Sequence, residues 1–271
     1  MKQNPSLEAD LRRAAHACAD AARVETLRYF RASGLAADDK GAGVAFDPVT
    51  EGDRAAESAM RAVLANLRPD DAILGEEEAA TSGTSGLTWV LDPIDGTRGY
   101  ISGTPTWGVL ICVSNDAGPL YGIIDQPYIG ERFEGGFGHA RVAGPRGDAP
   151  LATRRPRRLS QATLFSTFPE IGSRAERNAF KAVADRVKLT RYGLDCYGYA
   201  LVAAGHADLV IEAGLQPYDI QAPIAVVEAA GGVVTDWEGG PVHAGGRALA
   251  AATPELHAAA LGVLAEAGGG F

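Results

Sequence analysis

Apolar residues along the 271-residue chain keep two rhythms, and the change near residue 150 limits the folds open to it. From residue 71 the first half runs strand into strand. "AILGEEE", "TWVL", "TWGVLICVS", "LYGIID" and "RFEGGFG" are short apolar or alternating runs, with Asn115-Asp116-Ala117-Gly118 as a hairpin turn between the third and fourth. Beyond residue 150, strands over 163–168, 188–191, 208–212 and 233–236 alternate with helices over 174–187, 197–204 and 219–230, and a last helix starts at Pro254. Two helices precede the strands. The first, over 6–33, has Ser6 as a cap, Leu7, Leu11, Ala14, Cys18 and Ala21 on one face, and Gly34 as a C-cap. The second follows the capping-box pair Thr50 and Asp53 and buries Ala56, Met60, Val63, Leu64 and Leu67 before Pro69 ends it. Adjacent strands followed by alternating strands and helices predict a layered α+β chain in two subdomains, 1–150 and 151–271. The Gly-, Pro- and Arg-rich stretch "GPRGDAPLATRRPRRLS" reads as the solvated linker between them.

The chemistry begins where "TWVL" ends, in "DPIDGTRGY". An apolar run that finishes in two carboxylates three positions apart needs a shared cation, or the groups give up their charge. Other acids also sit where a structured segment meets a turn: Asp53 at a helix start, Glu76 and Glu77 after "AILG", Asp219 at another helix start. Each alone could be a helix cap or a solvated turn. Together they make an oxygen-only set with neither histidine nor thiolate, which suits Mg²⁺ sharing its remaining positions with a substrate phosphate. Pro93 stiffens the turn, so the Ile94 carbonyl could face the metal. The Gly96-Thr97 amides could meet an anion beside it, and the Thr97 hydroxyl could orient a water. Carboxylates for metal and amides for phosphate within six residues point to phosphate-ester hydrolysis.

Other chemistries fit less well. The chain carries neither GxxxxGK[ST] nor GxSxG, which argues against a P-loop nucleotide enzyme and the usual serine hydrolase. A haloacid dehalogenase-like phosphatase places its two acids two residues apart, not three with proline inside, so activated water is expected rather than an aspartyl-phosphate. A formal net charge of −9 argues against nucleic acid or an anionic membrane as partner. No apolar run reaches the length that crosses a bilayer, and the charged N-terminal helix is no signal peptide. Cys18, Cys112 and Cys196 are odd in number and far apart, as reduced thiols of a cytoplasmic protein would be.

"GEE" at 75–77, "DPIDGT" at 92–97 and an Asp opening a helix at 219 resemble the inositol monophosphatase superfamily over nearly the whole chain. That resemblance implies a five-layered αβαβα sandwich, usually a homodimer. It implies Glu76, Asp92, the Ile94 carbonyl, Asp95 and Asp219 as metal ligands, and Asp53 and Thr97, with Glu76, as the groups that orient the attacking water. Lys40 resembles a lysine near a third metal. "DPIDGTRGYISGTPTWGVLI", "IIDQPYIGERFEG" and "TRYGLDCYGYALVAAGHADLVIEAGLQPYD" look like the histidinol-phosphate phosphatase branch, which serves histidine biosynthesis. Histidinol carries an ammonium and an imidazole, so its pocket should offer acids away from the metals. Asp195 and Glu212 are the candidates, with Gly96, Thr97 and Arg191 toward phosphate. A phosphatase of inositol 1-phosphate or of a nucleotide 3′-phosphate, or a non-catalytic regulator on the same fold, remains open.

Overall fold

The structure is a computed structural model that describes residues 5–33, 37–39 and 48–268. In chain order the elements are α1 (Pro5–Tyr29), β1 (Ala37–Asp39), β2 (Pro48–Thr50), α2 (Glu51–Leu67), β3 (Ala72–Gly75), β4 (Thr88–Asp95), α3 (Thr97–Ile101), β5 (Gly108–Asn115), β6 (Gly118–Gln126), β7 (Glu131–Gly136), β8 (His139–Ala143) and β9 (Ala149–Pro150). Then come β10 (Thr163–Ser166), α4 (Arg174–Ala184), β11 (Leu189–Tyr192), α5 (Cys196–Ala203), β12 (Leu209–Leu215), α6 (Pro217–Ala229), β13 (Val233–Thr235), β14 (Gly246–Ala251) and α7 (Pro254–Gly268). β3 to β9 form a seven-stranded sheet in sequence order, antiparallel except for the β3–β4 pair. The second sheet runs β11-β10-β12-β14-β13, its first three strands parallel.

Period-2 alternation explains the layering. On the seven-stranded sheet Trp89, Leu91, Val109, Ile111, Val113 and Ile123 face α1 and α2, while Val90, Leu110, Cys112, Ile124 and Phe133 face the opposite way, onto α5 and α6. The second sheet repeats the pattern. Val210, Ala248 and Ala250 face α5 and α6, and Leu209, Ile211 and Leu249 face α4 and α7. The sandwich is therefore α1/α2, sheet, α5/α6, sheet, α4/α7, the five layers expected. Sheets covered on both faces read as near-continuous apolar runs, which is why "TWVL" shows no alternation.

Several boundaries differ from the sequence reading. α1 ends at Tyr29, and its buried face uses Ala15, Ala19 and Ala22 where Ala21 was expected. Gly34, the expected C-cap, lies outside the described residues. Leu67, expected in the core, is exposed. The linker stretch holds β9, paired to β8, a strand the sequence reading missed, and the sequence showed no sign of β14 at all. The capping box is present: Asp53 accepts from the Thr50 N–H at 2.8 Å, and Gly52 N–H donates to the Thr50 hydroxyl at 3.1 Å. Among the described residues no helix is long and apolar enough to cross a membrane.

Candidate active site

β4 carries both acids of the "DPID" turn because its pairing breaks there. It is in register with β5 through Asp92 opposite Leu110, shifts, and resumes at Asp95 opposite Gly108. Pro93 cannot donate to a ladder, and the bulge turns the two carboxylates toward one space. Backbone donors fix each acid. Ile94 N–H donates to Asp92 Oδ1 at 3.0 Å, Cys196 N–H to Asp95 Oδ2 at 2.5 Å, and Gln216 N–H to Asp219 Oδ2 at 2.7 Å. Asp219 is the N3 residue of α6 with Gln216 as its cap. The Asp95 bond crosses from the end of β4 to the first residue of α5 and ties the two elements together at the site.

Carboxylate oxygens of Asp92, Asp95 and Asp219 lie within 4.8 Å of one another. Burial, then the charges of Glu76, Asp95 and Asp219, push Asp92 well above the ordinary carboxylate range. Burial, then Asp195 and Asp219, do the same to Asp95 against the opposing Cys196 bond. Converging like charges with only oxygen donors fit a hard divalent cation, which removes the repulsion that otherwise forces protonation. The residues present can hold a metal.

Around them is a cleft of about 370 Å³ lined by Glu76, Ile94, Gly96, Thr97, Arg98, Thr167, Phe168, Asp195, Glu212, Tyr218 and others besides the three aspartates. Gly96 has φ +86°, and a Cβ there would stand 2.9 Å from the Asp195 carboxyl carbon, so glycine is required twice over. The Thr97 hydroxyl donates to the Ile94 carbonyl at 3.1 Å, which leaves its oxygen as an acceptor for a water proton. Asp195 holds φ +48°, a rare conformation for a residue with a side chain. Burial pushes its carboxyl up to about 6, with Arg98 and Thr167 pulling it down. Burial pushes Glu212 up to about 8, against bonds from Thr167 N–H (2.6 Å), Thr167 Oγ1 (3.0 Å) and Ser166 Oγ (3.4 Å).

The structure thus brings Glu76, Asp92, Ile94, Asp95, Gly96, Thr97, Asp195, Glu212 and Asp219 to one cleft. Two candidates are not among the lining residues. Asp53 is buried in the capping box of α2, where its Oδ2 accepts from both Thr50 donors. Arg191 is exposed on β11, an edge strand, and is also absent from the lining. Lys40 lies outside the described residues. Sequence reading missed Glu57, which is fully buried and accepts the N–H groups of Glu77 at 2.7 Å and Glu78 at 3.1 Å, with Arg61 Nε at 2.8 Å. It holds the turn that presents Glu76. A Cβ on Gly75 would fall 1.9 Å from its Oε1. The available signal was an acid on the same helical face as Asp53, Met60 and Leu64. Arg98 and Phe168 were also missed.

The inositol monophosphatase family model matches residues 8–269. The chain belongs to that family. It is 34% identical over 259 residues to a histidinol-phosphatase of Streptomyces coelicolor, covering 93% of this chain and 96% of that one. It is 41% identical over 227 residues to the bifunctional phosphatase IMPL2, chloroplastic, of Arabidopsis thaliana; the match covers 83% of this chain but spans only 63% of that relative's length. Among solved structures, an inositol monophosphatase from Zymomonas mobilis superposes with a TM-score of 0.84 at 36% identity, covering 97% of this chain and 99% of that one. The chain is a phosphatase of this family.

Proposed function

We propose that the protein is a Mg²⁺-dependent phosphate monoester hydrolase that converts L-histidinol phosphate and water to L-histidinol and phosphate, a step of histidine biosynthesis. The observation that carries the hydrolase is the trio Asp92, Asp95 and Asp219, each aimed by a backbone N–H into one cleft. The branch is supported by the histidinol-phosphatase of Streptomyces coelicolor matching along nearly its whole length. Glu76, Asp92, Asp95, Asp219 and the Ile94 carbonyl would hold the metal. When bound, Mg²⁺ supplies Lewis acidity and neutralises charge on phosphate. Thr97, its hydrogen given to the Ile94 carbonyl, accepts a hydrogen bond that orients the attacking water, and Asp195 and Glu212 face the cationic end of the alcohol. The route leaves no phosphoaspartate, since both acids of the turn are committed as ligands.

A homodimer is part of this reading. The family resemblance and the exposed Leu189 and Tyr192 on edge strand β11 support it, and sedimentation should return twice the chain mass. The three free, buried cysteines support a reducing, cytoplasmic setting. The resemblance to an inositol monophosphatase structure favours inositol 1-phosphate as the second reading. A panel of histidinol phosphate, inositol 1-phosphate and 3′-phosphoadenosine 5′-phosphate, run with Mg²⁺ and with excess chelator, separates them. The expected result is Mg²⁺-dependent phosphate release with histidinol phosphate preferred. Full activity in chelator would overturn the metal, and preference for inositol 1-phosphate would overturn the branch.

A further inference from the structure

Among the described residues every charged group lining the cleft is acidic except Arg98, and the aromatic residues are Phe168 and Tyr218. Phe168 is 38% exposed, among the few large apolar side chains left so open. Single exposed apolar residues usually need no explanation, but this one lies inside an acid-rich pocket. Its place is built. Thr167, the residue before it, gives both its N–H and its hydroxyl to buried Glu212, and the Ser166 hydroxyl reaches the Phe168 carbonyl at 3.5 Å. The loop after β10 is therefore pinned to β12 by a carboxylate that also faces the cleft.

A cation already uses the ring. The Arg98 guanidinium, from α3 on the other side of the cleft, lies over Phe168 with Cζ 5.7 Å from the centroid. That is the range in which the negative face of an aromatic ring attracts a positive charge. Phe168 lines the cleft and stays 38% exposed with the guanidinium over it, so a cationic group of a ligand can be received beside it. The acids beside it, Asp195 and Glu212, add attraction for positive charge but set no shape. The ring does, because its flat π-face can stack a planar imidazole while attracting the ammonium beside it.

We propose that Phe168 is a specificity-determining platform that receives the cationic imidazole–ammonium end of the leaving alcohol. This rests on the histidinol phosphate reading, and it assigns discrimination to an aromatic face as well as to carboxylates. A neutral polyol ester gains nothing from that face.

The test compares kcat/KM for histidinol phosphate and glycerol 2-phosphate in wild type, Phe168→Leu and Phe168→Tyr. The ratio of the two should fall about 5- to 30-fold in Phe168→Leu, the scale of a partly to fully desolvated cation–π contact, chiefly through KM. Phe168→Tyr keeps a ring and should keep the ratio. An unchanged ratio in Phe168→Leu, or an equal loss in both variants, overturns the platform. Inhibition of glycerol 2-phosphate hydrolysis by L-histidinol reads the same contact without requiring histidinol phosphate to be the substrate. Its Ki should rise by the same factor in Phe168→Leu. If wild type does not prefer histidinol phosphate yet L-histidinol inhibition depends on Phe168, the substrate reading fails and the platform stands. If L-histidinol does not inhibit wild type, the platform fails.

Discussion

Glu212 shows how one side chain can serve two ends. Its carboxylate holds Ser166 and Thr167 through three bonds, and burial raises its pKa to about 8, so a cation nearby is needed to keep it charged at neutral pH. Glu212→Gln keeps an acceptor for Thr167 and removes the charge. It should lower kcat/KM for histidinol phosphate at least about tenfold more than for glycerol 2-phosphate, the lower end of the scale of one charge-assisted bond at ~1.5–3 kcal/mol. Glu212→Ala should release the loop and lower both substrates together. Equal losses in the Gln variant would make Glu212 a structural residue alone. Cysteines give a second check at this scale. Burial pushes Cys18 up to about 12 and drives Cys112 and Cys196 up as well, so none presents a thiolate at neutral pH. A thiol reagent should label none of the three in the native protein at pH 7 and all three in denaturant; rapid native labelling of Cys196 would mean that α5 opens at the site.

Elements were legible where local chemistry marks their ends. The Thr50–Asp53 box sets the start of α2, and the Asn115–Gly118 turn joins β5 to β6, because caps and turns are short-range physics. The reading failed where strands borrow their partners. β9 is a two-residue strand held by β8, and its Pro- and Gly-rich flanks read as linker. How α1 docks was equally invisible, since it depends on residues more than a hundred positions apart. Arg23 binds buried Asp125 through Nη2 at 2.7 Å and Nε at 3.1 Å, and His16 meets Glu134 at 2.6 Å. Burial alone would raise the Glu134 pKa, but bonds from His16, Arg141 and Tyr121 hold it well below the usual carboxylate range. A carboxylate with a depressed folded pKa adds stability above its unfolded value of about 4.3 and loses it as pH falls through the folded one. Glu134→Gln should therefore cost about 1.5–3 kcal/mol at pH 7. It should also flatten the fall of Tm between roughly pH 5 and 3 relative to wild type. Parallel Tm–pH curves would show that the network adds nothing beyond packing.

At the scale of the whole molecule, the site sits where the two sheets' loops meet, and this decides what a single chain of letters could reveal. Asp92, Asp95 and Glu76 lie within twenty residues and announce themselves, while Asp219 was placed by its position at a helix start. Glu57, Arg98 and Phe168 gain their roles only when α2 reaches the β3 turn and α3 faces the β10 loop. The same convergence sets a conflict between folding and activity. Three carboxylates within 4.8 Å repel one another without a cation, and Asp92 is almost wholly buried. Without metal, Asp92→Asn should stabilise the protein by about 1–2 kcal/mol, raising Tm by roughly 2–8 °C at the scale of 2–4 °C per kcal/mol for a chain of this size. Adding Mg²⁺ should reverse the order. Wild type gains RT ln(1 + [L]/Kd), about 2.7 kcal/mol at a hundredfold excess over Kd, and the variant, with a ligand removed, gains far less. Activity of Asp92→Asn should fall by roughly 10² or more, the loss expected from one preorganised electrostatic group. Calorimetry of both proteins in chelator and in Mg²⁺ checks the crossing. If Asp92→Asn melts below wild type in chelator, protonation or neighbouring donors already relieve the three acids, and the cluster imposes no conflict between folding and activity.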